Sequence, residues 1–329
     1  MIELELLKDK TEWNEFVSAS RYGTLFHTWE WISLLEDIYK VKKLPIGIFE
    51  KDNLIGVFPT FIQKKVFLKL AMSPLHTAAT PYGGPLPLRG TLPKNILEEF
   101  EEFLRDYATD YIEFLAVPGI EIENLLRESN YIFRERMTYI LDLTKGVDVI
   151  WKNLEQRCRR AIRKAKKNNV EIVEGENKKQ LNEFYKMTED TYKKWGKKPP
   201  ISREYFRKVW DLFHDKKRVK FLFAKYEGRL IAGAIFPIYR DDVYYWNGGA
   251  YREYYRVAPN NLIHWHLIEW ALNNGLKKYD MVGADIPSIA KFKASFSGEK
   301  VRHIYAYKFK SPLAKIGRKV YEKWKKGFV

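Results

Sequence analysis

The chain of 329 residues holds a single cysteine, Cys158, and no apolar run that approaches the ~20 residues a membrane-spanning helix needs. One thiol excludes an internal disulfide framework and suits a reducing compartment. The opening MIELELLKDK carries acids where an export signal carries bases, so a cytoplasmic protein is expected. Glycine-rich phosphate cradles are missing too. Neither G-x-x-x-x-G-K-[ST] nor G-x-G-x-x-G occurs, which argues against nucleotide binding of those types. No G-x-S-x-G elbow is present, and Cys158 has no histidine near it in sequence, so covalent catalysis has little support. Of six histidines only His264 and His266 are close together. On a helix they point ~200° apart, and no Cys, Asp or Glu is spaced to join them, so no metal is expected and both read as core or hydrogen-bonded histidines.

What is present is a chain rich in core-forming residues, 46% apolar and 16% aromatic, and long enough for two domains. Its formal net charge of +16 calls for an anionic partner: nucleic acid, a phosphorylated substrate or an acidic membrane face. The plain alternative is a basic protein that only stays soluble.

The two halves echo each other. GIFEKDNLIGVFPTF from Gly47 matches FAKYEGRLIAGAIFPI from Phe223, each a strand, an Asp-Asn or Glu-Gly turn and a strand. PYGG ending at Gly84 is answered by WNGG ending at Gly249, 165 residues on. The run from Asn95 returns at Asn261, and RERMTYILDL returns as RHIYAYKFK, with Tyr139 and Tyr307 168 apart. An α/β (α+β) module with a mixed sheet is therefore expected twice, as domains 1–145 and 146–329.

Between the halves, WKNLEQRCRRAIRKAKKNN sets Leu154, Cys158, Ile162 and Ala165 on one helical stripe and surrounds it with bases, among them Arg159, Arg160, Arg163 and Lys164. These four face either solvent or the phosphates of RNA or a pyrophosphate. NGGAYREYYRVAPNN joins Asn247 and two glycines to Tyr251, Tyr254 and Tyr255, which either line a groove or stack in the core. In YDMVGADIPSIAKFKASFSGE, a short buried strand is expected to end with Asp285 at its tip. Ser288 would cap a helix carrying Ile289, Phe292 and Phe296 on one face, with Gly298 as the stop. That helix brings Lys291 and Lys293 over the strand end, where open sheets bind ligands. In the tail, Leu313, Ile316, Val320 and Trp324 form a stripe amid lysines: either a basic helix that lies on an anionic membrane, or one packed on the second domain.

The duplicated layout suggests the GNAT acetyltransferase fold. Its acetyl-CoA members use an R/Q-x-x-G-x-G/A turn, and the corresponding RVAPNNL has Pro259 and Asn261 in place of the small residues. Proline removes an amide donor, so acyl-CoA is disfavoured. Taken in order, SRYGTLFHTWEW, LDLTK, IRKAKKNNVEI, REYF, NGGAYREYYRVAPNNLIHWHLIEWA and YDMVGAD…KFKASFSGE resemble the FemABX-type peptidyltransferases over most of the chain. The resemblance implies two tandem GNAT-like domains, aminoacyl-tRNA as co-substrate with no other cofactor, and a diphosphate-linked sugar-peptide acceptor. It also implies a lysine in an F-K-x-x-F helix that stabilises the oxyanion, here Lys293, with Asp285 beside it. For acceptor binding it points to Lys197, Lys198 and Arg203, with Asn247, Tyr254, Tyr255 and Lys291 expected nearby. A monomer working at the inner face of the membrane is the matching expectation.

Overall fold

The computed structural model describes residues 2–75, 78–193, 196 and 198–326, the stretch 320–326 by backbone alone. In chain order the elements are β1 (Ile2–Leu6), α1 (Lys10–Ala19), α2 (Trp29–Tyr39), β2 (Lys42–Glu50), β3 (Asn53–Lys65), β4 (Leu68–Ser73), β5 (Leu86–Pro87), α3 (Ile96–Phe103), β6 (Tyr111–Leu115), α4 (Glu123–Glu128) and β7 (Ile132–Asp142). There follow α5 (Val147–Asn153), α6 (Gln156–Lys167), β8 (Glu171–Glu174), α7 (Lys178–Lys193), α8 (Arg203–Phe213), β9 (Val219–Tyr226), β10 (Arg229–Tyr239), β11 (Asp242–Tyr244) and β12 (Asn247–Ala250). The chain ends with α9 (Pro259–Asn273), β13 (Lys278–Asp280), α10 (Pro287–Ala294), β14 (Glu299–Phe309) and α11 (Pro312–Lys326).

Two units result, Met1–Arg136 with Arg302–Val329, and Met137–Val301. Both are built on one plan. Each opens on an antiparallel hairpin, β2–β3 or β9–β10, flanked by β1 or β8. Lys51 and Asp52 have φ of 48° and 64°, and Glu227 and Gly228 have 50° and 78°, so both hairpins close through the two-residue turn whose twist suits paired strands. The first turn is thus Lys51–Asp52 and not the expected Asp52–Asn53; the Asn53 amide instead donates to the Lys51 carbonyl at 3.1 Å.

The closing strands change places. β14 lies on β6, from Tyr305 opposite Leu115 to Phe309 opposite Tyr111, whereas β7 lies on β13, from Asp142 opposite Lys278 to Ile140 opposite Asp280. A boundary at 145 would part β7 from the strand it pairs with, and the tail groups with the first unit, not the second as expected. There α11 is fixed by Ala314, which is buried, and by Arg318, whose Nη1 donates to the Tyr111 hydroxyl at 2.9 Å. The buried Glu113 carboxylate accepts from the same tyrosine at 3.0 Å and lies 3.6 Å from Arg318.

The second unit packs α6 and α9 over its sheet around Cys158, Ile162, Ala165, Ala224, Ile263, Leu267, Tyr279 and Phe296. The expected apolar stripe of the basic helix is therefore core.

Candidate active site

The second unit's sheet opens at one point. β11 and β13 run parallel, Asp242 beside Lys278 to Tyr244 beside Asp280. A last bond joins them, from the Tyr245 N–H to the Asp280 carbonyl at 2.8 Å, and then they part. Trp246 N–H turns to the Ile235 carbonyl (3.1 Å) and the chain follows β10 as β12. On the other lip Met281 N–H turns to Tyr139 (2.9 Å) and Ala284 N–H to Met137 (2.7 Å), so that chain follows β7. Parallel strands that diverge at their carboxyl ends make a wedge, the usual place for a ligand in such sheets.

Two glycines shape the β12 lip. A Cβ on Gly248 would stand 2.2 Å from the Tyr245 hydroxyl oxygen, and one on Gly249 would stand 3.0 Å from the backbone nitrogen of Thr188 in α7. So the NGG run admits a tyrosine on one side and a helix on the other.

The opposite lip carries strain. Val282 and Gly283 have φ of 50° and 34°, and for a β-branched residue a positive φ is an outlier. The turn is held by Asp280, 2% exposed, whose Oδ1 accepts from the Thr138 hydroxyl (2.6 Å) and from the Val282 N–H (2.8 Å). Its effect is to aim two successive carbonyls at α10.

There they meet Lys293. Its Nζ donates to the carbonyls of Val282 and of Gly283, the latter at 2.7 Å, and lies 5.1 Å from the centroid of the Tyr245 ring. One ammonium therefore spans the wedge, carbonyls on one lip and an aromatic face on the other, and keeps a third N–H for another acceptor. Lys293 is 5% exposed, and burial lowers its pKa to about 8 against the opposing pull of Asp280 and Asp285. At that value ~90% of the side chain is still charged at pH 7. His264 packs beside it, its ring 5.3 Å from those of Phe292 and Phe296, with Nδ1 2.5 Å from the Tyr279 hydroxyl. Burial, then the Lys293 charge, lowers the His264 pKa to about 3, so this histidine is neutral.

The first unit supplies a comparison. After β6 its short helix α4 buries one residue, Leu126; after β13 the helix α10 buries one residue, Lys293. Leucine fills such a position at no desolvation cost, whereas lysine needs partners. The buried Lys220 has a carboxylate, Glu174 at 2.5 Å, while Lys293 is bonded to neutral carbonyls alone.

Local details differ from expectation. The strand covers only Lys278–Asp280, so Asp285 sits in the loop beyond it, exposed, and acts on Lys293 through charge. α10 starts at Pro287, as proline's fixed φ allows at a first helical position, and the residue before it, Ile286, stands where Ser288 was expected to cap. Ile289 is exposed, 37%, and Lys293 takes the core-facing place. Lys291 is exposed, its carbonyl accepting from Arg157 Nη2 at 2.6 Å. Tyr255 is exposed and its phenol acts on that of Tyr245, whose pKa is pushed up to about 12 chiefly by burial. Tyr254 instead accepts from Arg229 at 3.4 Å and packs on Tyr226, and Asn247 begins β12 opposite Ile235. Arg203 begins α8 and stacks over Tyr185 at 4.8 Å, and Lys198 is exposed in the loop before it. Lys197 lies outside the described residues.

The four phosphate-facing candidates divide. Arg159 folds back on α5, its Nη1 donating to the carbonyls of Trp151 (3.3 Å), Lys152 (2.5 Å) and Leu154. Arg163 lies over Trp151 at 5.6 Å. Arg160, Arg163 and Lys164 are exposed, and Arg159 is half-buried. The start of α6 is tied to α10, through Arg157 and through the Glu155 N–H to the Ser295 carbonyl at 3.0 Å, so the basic helix and Lys293 form one assembly. Asp280, Tyr245 and Tyr279 were not singled out from the sequence; a lone buried acid or phenol carries no spacing signal.

Residues 152–294 match the family model described as an acetyltransferase (GNAT) domain. The match takes in α6, the diverging ends of β11 and β13, and α10 with Lys293. Over the full chain the fold is that of FemX, with 15% identity, 95% of this chain and 99% of that one covered, and a TM-score of 0.76. A tandem GNAT protein from the clavulanic acid biosynthesis pathway aligns over 95% of this chain and 99% of its own at 10% identity, TM-score 0.61. L-PGS from Bacillus licheniformis aligns over 94% of both chains at 12% identity, TM-score 0.59. No curated protein matches the sequence. The tandem GNAT fold expected from the motifs is the one observed.

Proposed function

We propose that this chain of tandem GNAT fold is an aminoacyltransferase, moving an amino acid from aminoacyl-tRNA onto an amine of a phosphorylated, peptide- or sugar-bearing acceptor such as a cell-wall precursor. The observation that carries the reading is the Lys293 ammonium at the mouth of the parted strands, charged, nearly dry and with one N–H uncommitted. The acceptor amine attacks the ester carbonyl; the C–N bond forms and the negative charge that develops on oxygen meets that N–H. The C–O bond to the tRNA ribose then breaks, and the amine proton leaves with the ribose oxygen. A preorganised donor of this kind contributes ~3–4 kcal/mol to the transition state. Asp285 and the buried Asp280 keep the lysine protonated. Arg160 and Lys164 offer the tRNA backbone an exposed basic face, and Lys197, Lys198, Arg203, Asn247, Tyr254, Tyr255 and Lys291 are the acceptor-binding residues of this reading. The likeness in fold to FemX and to L-PGS supports it.

The match to an acetyltransferase model favours a second reading, a CoA-dependent N-acyltransferase. Against it, Pro259 is the first residue of α9 and follows Ala258 at φ 53°, so the helix start lacks the amide that a pyrophosphate would take. Incubation with charged tRNA or with acyl-CoA, each with a diphosphate-linked sugar-peptide, separates the two. Transfer from tRNA alone supports the first reading, and transfer from acyl-CoA alone replaces it.

A further inference from the structure

The hairpin β3–β4 turns at Val66 and Phe67, which are 79% and 90% exposed. Two-residue turns that need positive φ are ordinarily built from Asn and Gly, and the other three hairpins among the described residues use Lys-Asp, Glu-Gly and Arg-Asp. Val66 nevertheless adopts φ 53°, so a β-branched residue is held in strain where nothing packs on it. Neither stability nor turn chemistry accounts for an apolar pair at this tip.

A second apolar pair stands close by on α11. A Cβ on Gly317 would approach Leu68 Cδ1 to 3.1 Å, so the helix runs beside the residue next to Phe67. Ala314 and Arg318 hold the docked side of that helix. Leu313 and Ile316, roughly 100° and 160° around the helix from Ala314, are left 64% and 59% exposed. Around these four side chains lie Lys64, Lys65, Lys315 and Lys319, exposed and without an ion-pair partner among the described residues. Val320 and Trp324, the rest of the stripe expected from the sequence, lie outside the described side chains. Among the described residues no helix is long and apolar enough to cross a membrane.

We propose that the Val66–Phe67 tip and the Leu313–Ile316 edge of α11 form one interfacial anchor that inserts into the surface of an anionic bilayer. Apolar side chains of this size enter the headgroup boundary, and a surrounding ring of lysines meets acidic lipid, the combination by which peripheral proteins hold a membrane face. The lysine ring is what selects a lipid surface over a second copy of this equally basic chain, which would repel it. The proposal rests on no catalytic assignment.

The test is co-sedimentation of the full chain with vesicles of phosphatidylcholine alone and of phosphatidylcholine with phosphatidylglycerol. Binding to the acidic vesicles that weakens in high salt is expected. The pair V66N/F67G, which installs a favourable turn and so retains the fold, should weaken it at least tenfold, as should L313S/I316S. Three results overturn the proposal: no vesicle binding by the wild type, unchanged binding by V66N/F67G, or a concentration-dependent dimer that this variant abolishes while vesicles remain unbound.

Discussion

The Lys293 ammonium and the Gly283 carbonyl are 2.7 Å apart, and their hydrogen bond joins a helix to a turn that neither would hold alone. Val282, just before Gly283, holds a positive φ that costs a β-branched residue free energy, and the ammonium bonded there is charged despite burial. Two unfavourable local choices coincide at one point of the second unit, and the equivalent helix of the first unit makes neither with Leu126. Strain and buried charge at one place are what a preorganised donor requires.

Replacing that charge should therefore leave the fold about as stable while slowing the reaction strongly. The lowered pKa of Lys293 corresponds to roughly 3 kcal/mol of unfavourable charge burial. Lys293→Met removes it but leaves two carbonyls unpaired, at ~1–3 kcal/mol each. We expect a stability within about 1 kcal/mol of wild type at pH 7 by denaturant titration. The sign can be checked with pH. Between about 8 and 10.5 the unfolded lysine keeps a proton that the folded one has released, so wild-type stability from this group rises with pH across that window. Lys293→Met should lack the rise, and above pH ~10 ionising tyrosines oppose it in both proteins.

Catalysis should have the opposite slope. The charged lysine is the active form, so kcat/KM should fall as pH rises through about 8, whatever rising limb the acceptor amine adds. Lys293→Arg keeps its charge throughout. Whatever activity it retains should lose the basic limb, and a basic limb unchanged in Lys293→Arg would assign it to another group.

Gly248 tests the aromatic side of the wedge. A methyl there would collide with the Tyr245 hydroxyl at 2.2 Å, so Gly248→Ala must swing that ring from beneath Lys293. The expected result is a roughly tenfold or greater fall in kcat with KM little changed.

The basic helix should behave as two sets of residues. Arg160→Gln with Lys164→Gln should lower the slope of log affinity for tRNA against log salt by roughly 0.7–0.9 for each phosphate that is no longer neutralised. Arg159→Ala should leave that slope alone and cost ~1–3 kcal/mol of stability, since its guanidinium caps α5.

The hairpins, the repeated plan and the F-K-x-x-F helix were legible in the sequence because they rest on local chemistry: turn residues, periodicity and a proline at a helix start. What escaped was non-local. The exchange of β7 and β14 depends on which central strand each meets, and no short window of sequence carries that choice. Likewise the helical spacing set Ile289 on the packed face with Phe292 and Phe296, whereas Ile289 is exposed and the carbonyls of Val282 and Gly283 draw Lys293 into the core-facing place. Arg159 read as a surface base for the same reason: its partners lie at the end of α5, earlier in the chain.

One rate constant decides the matter most directly: single-turnover aminoacyl transfer from charged tRNA by Lys293→Ala, with its fold verified by circular dichroism. Removal of the positive donor should slow this step by about 10²–10³-fold. A variant that turns over within threefold of wild type would show that the buried ammonium only braces the 282–283 turn.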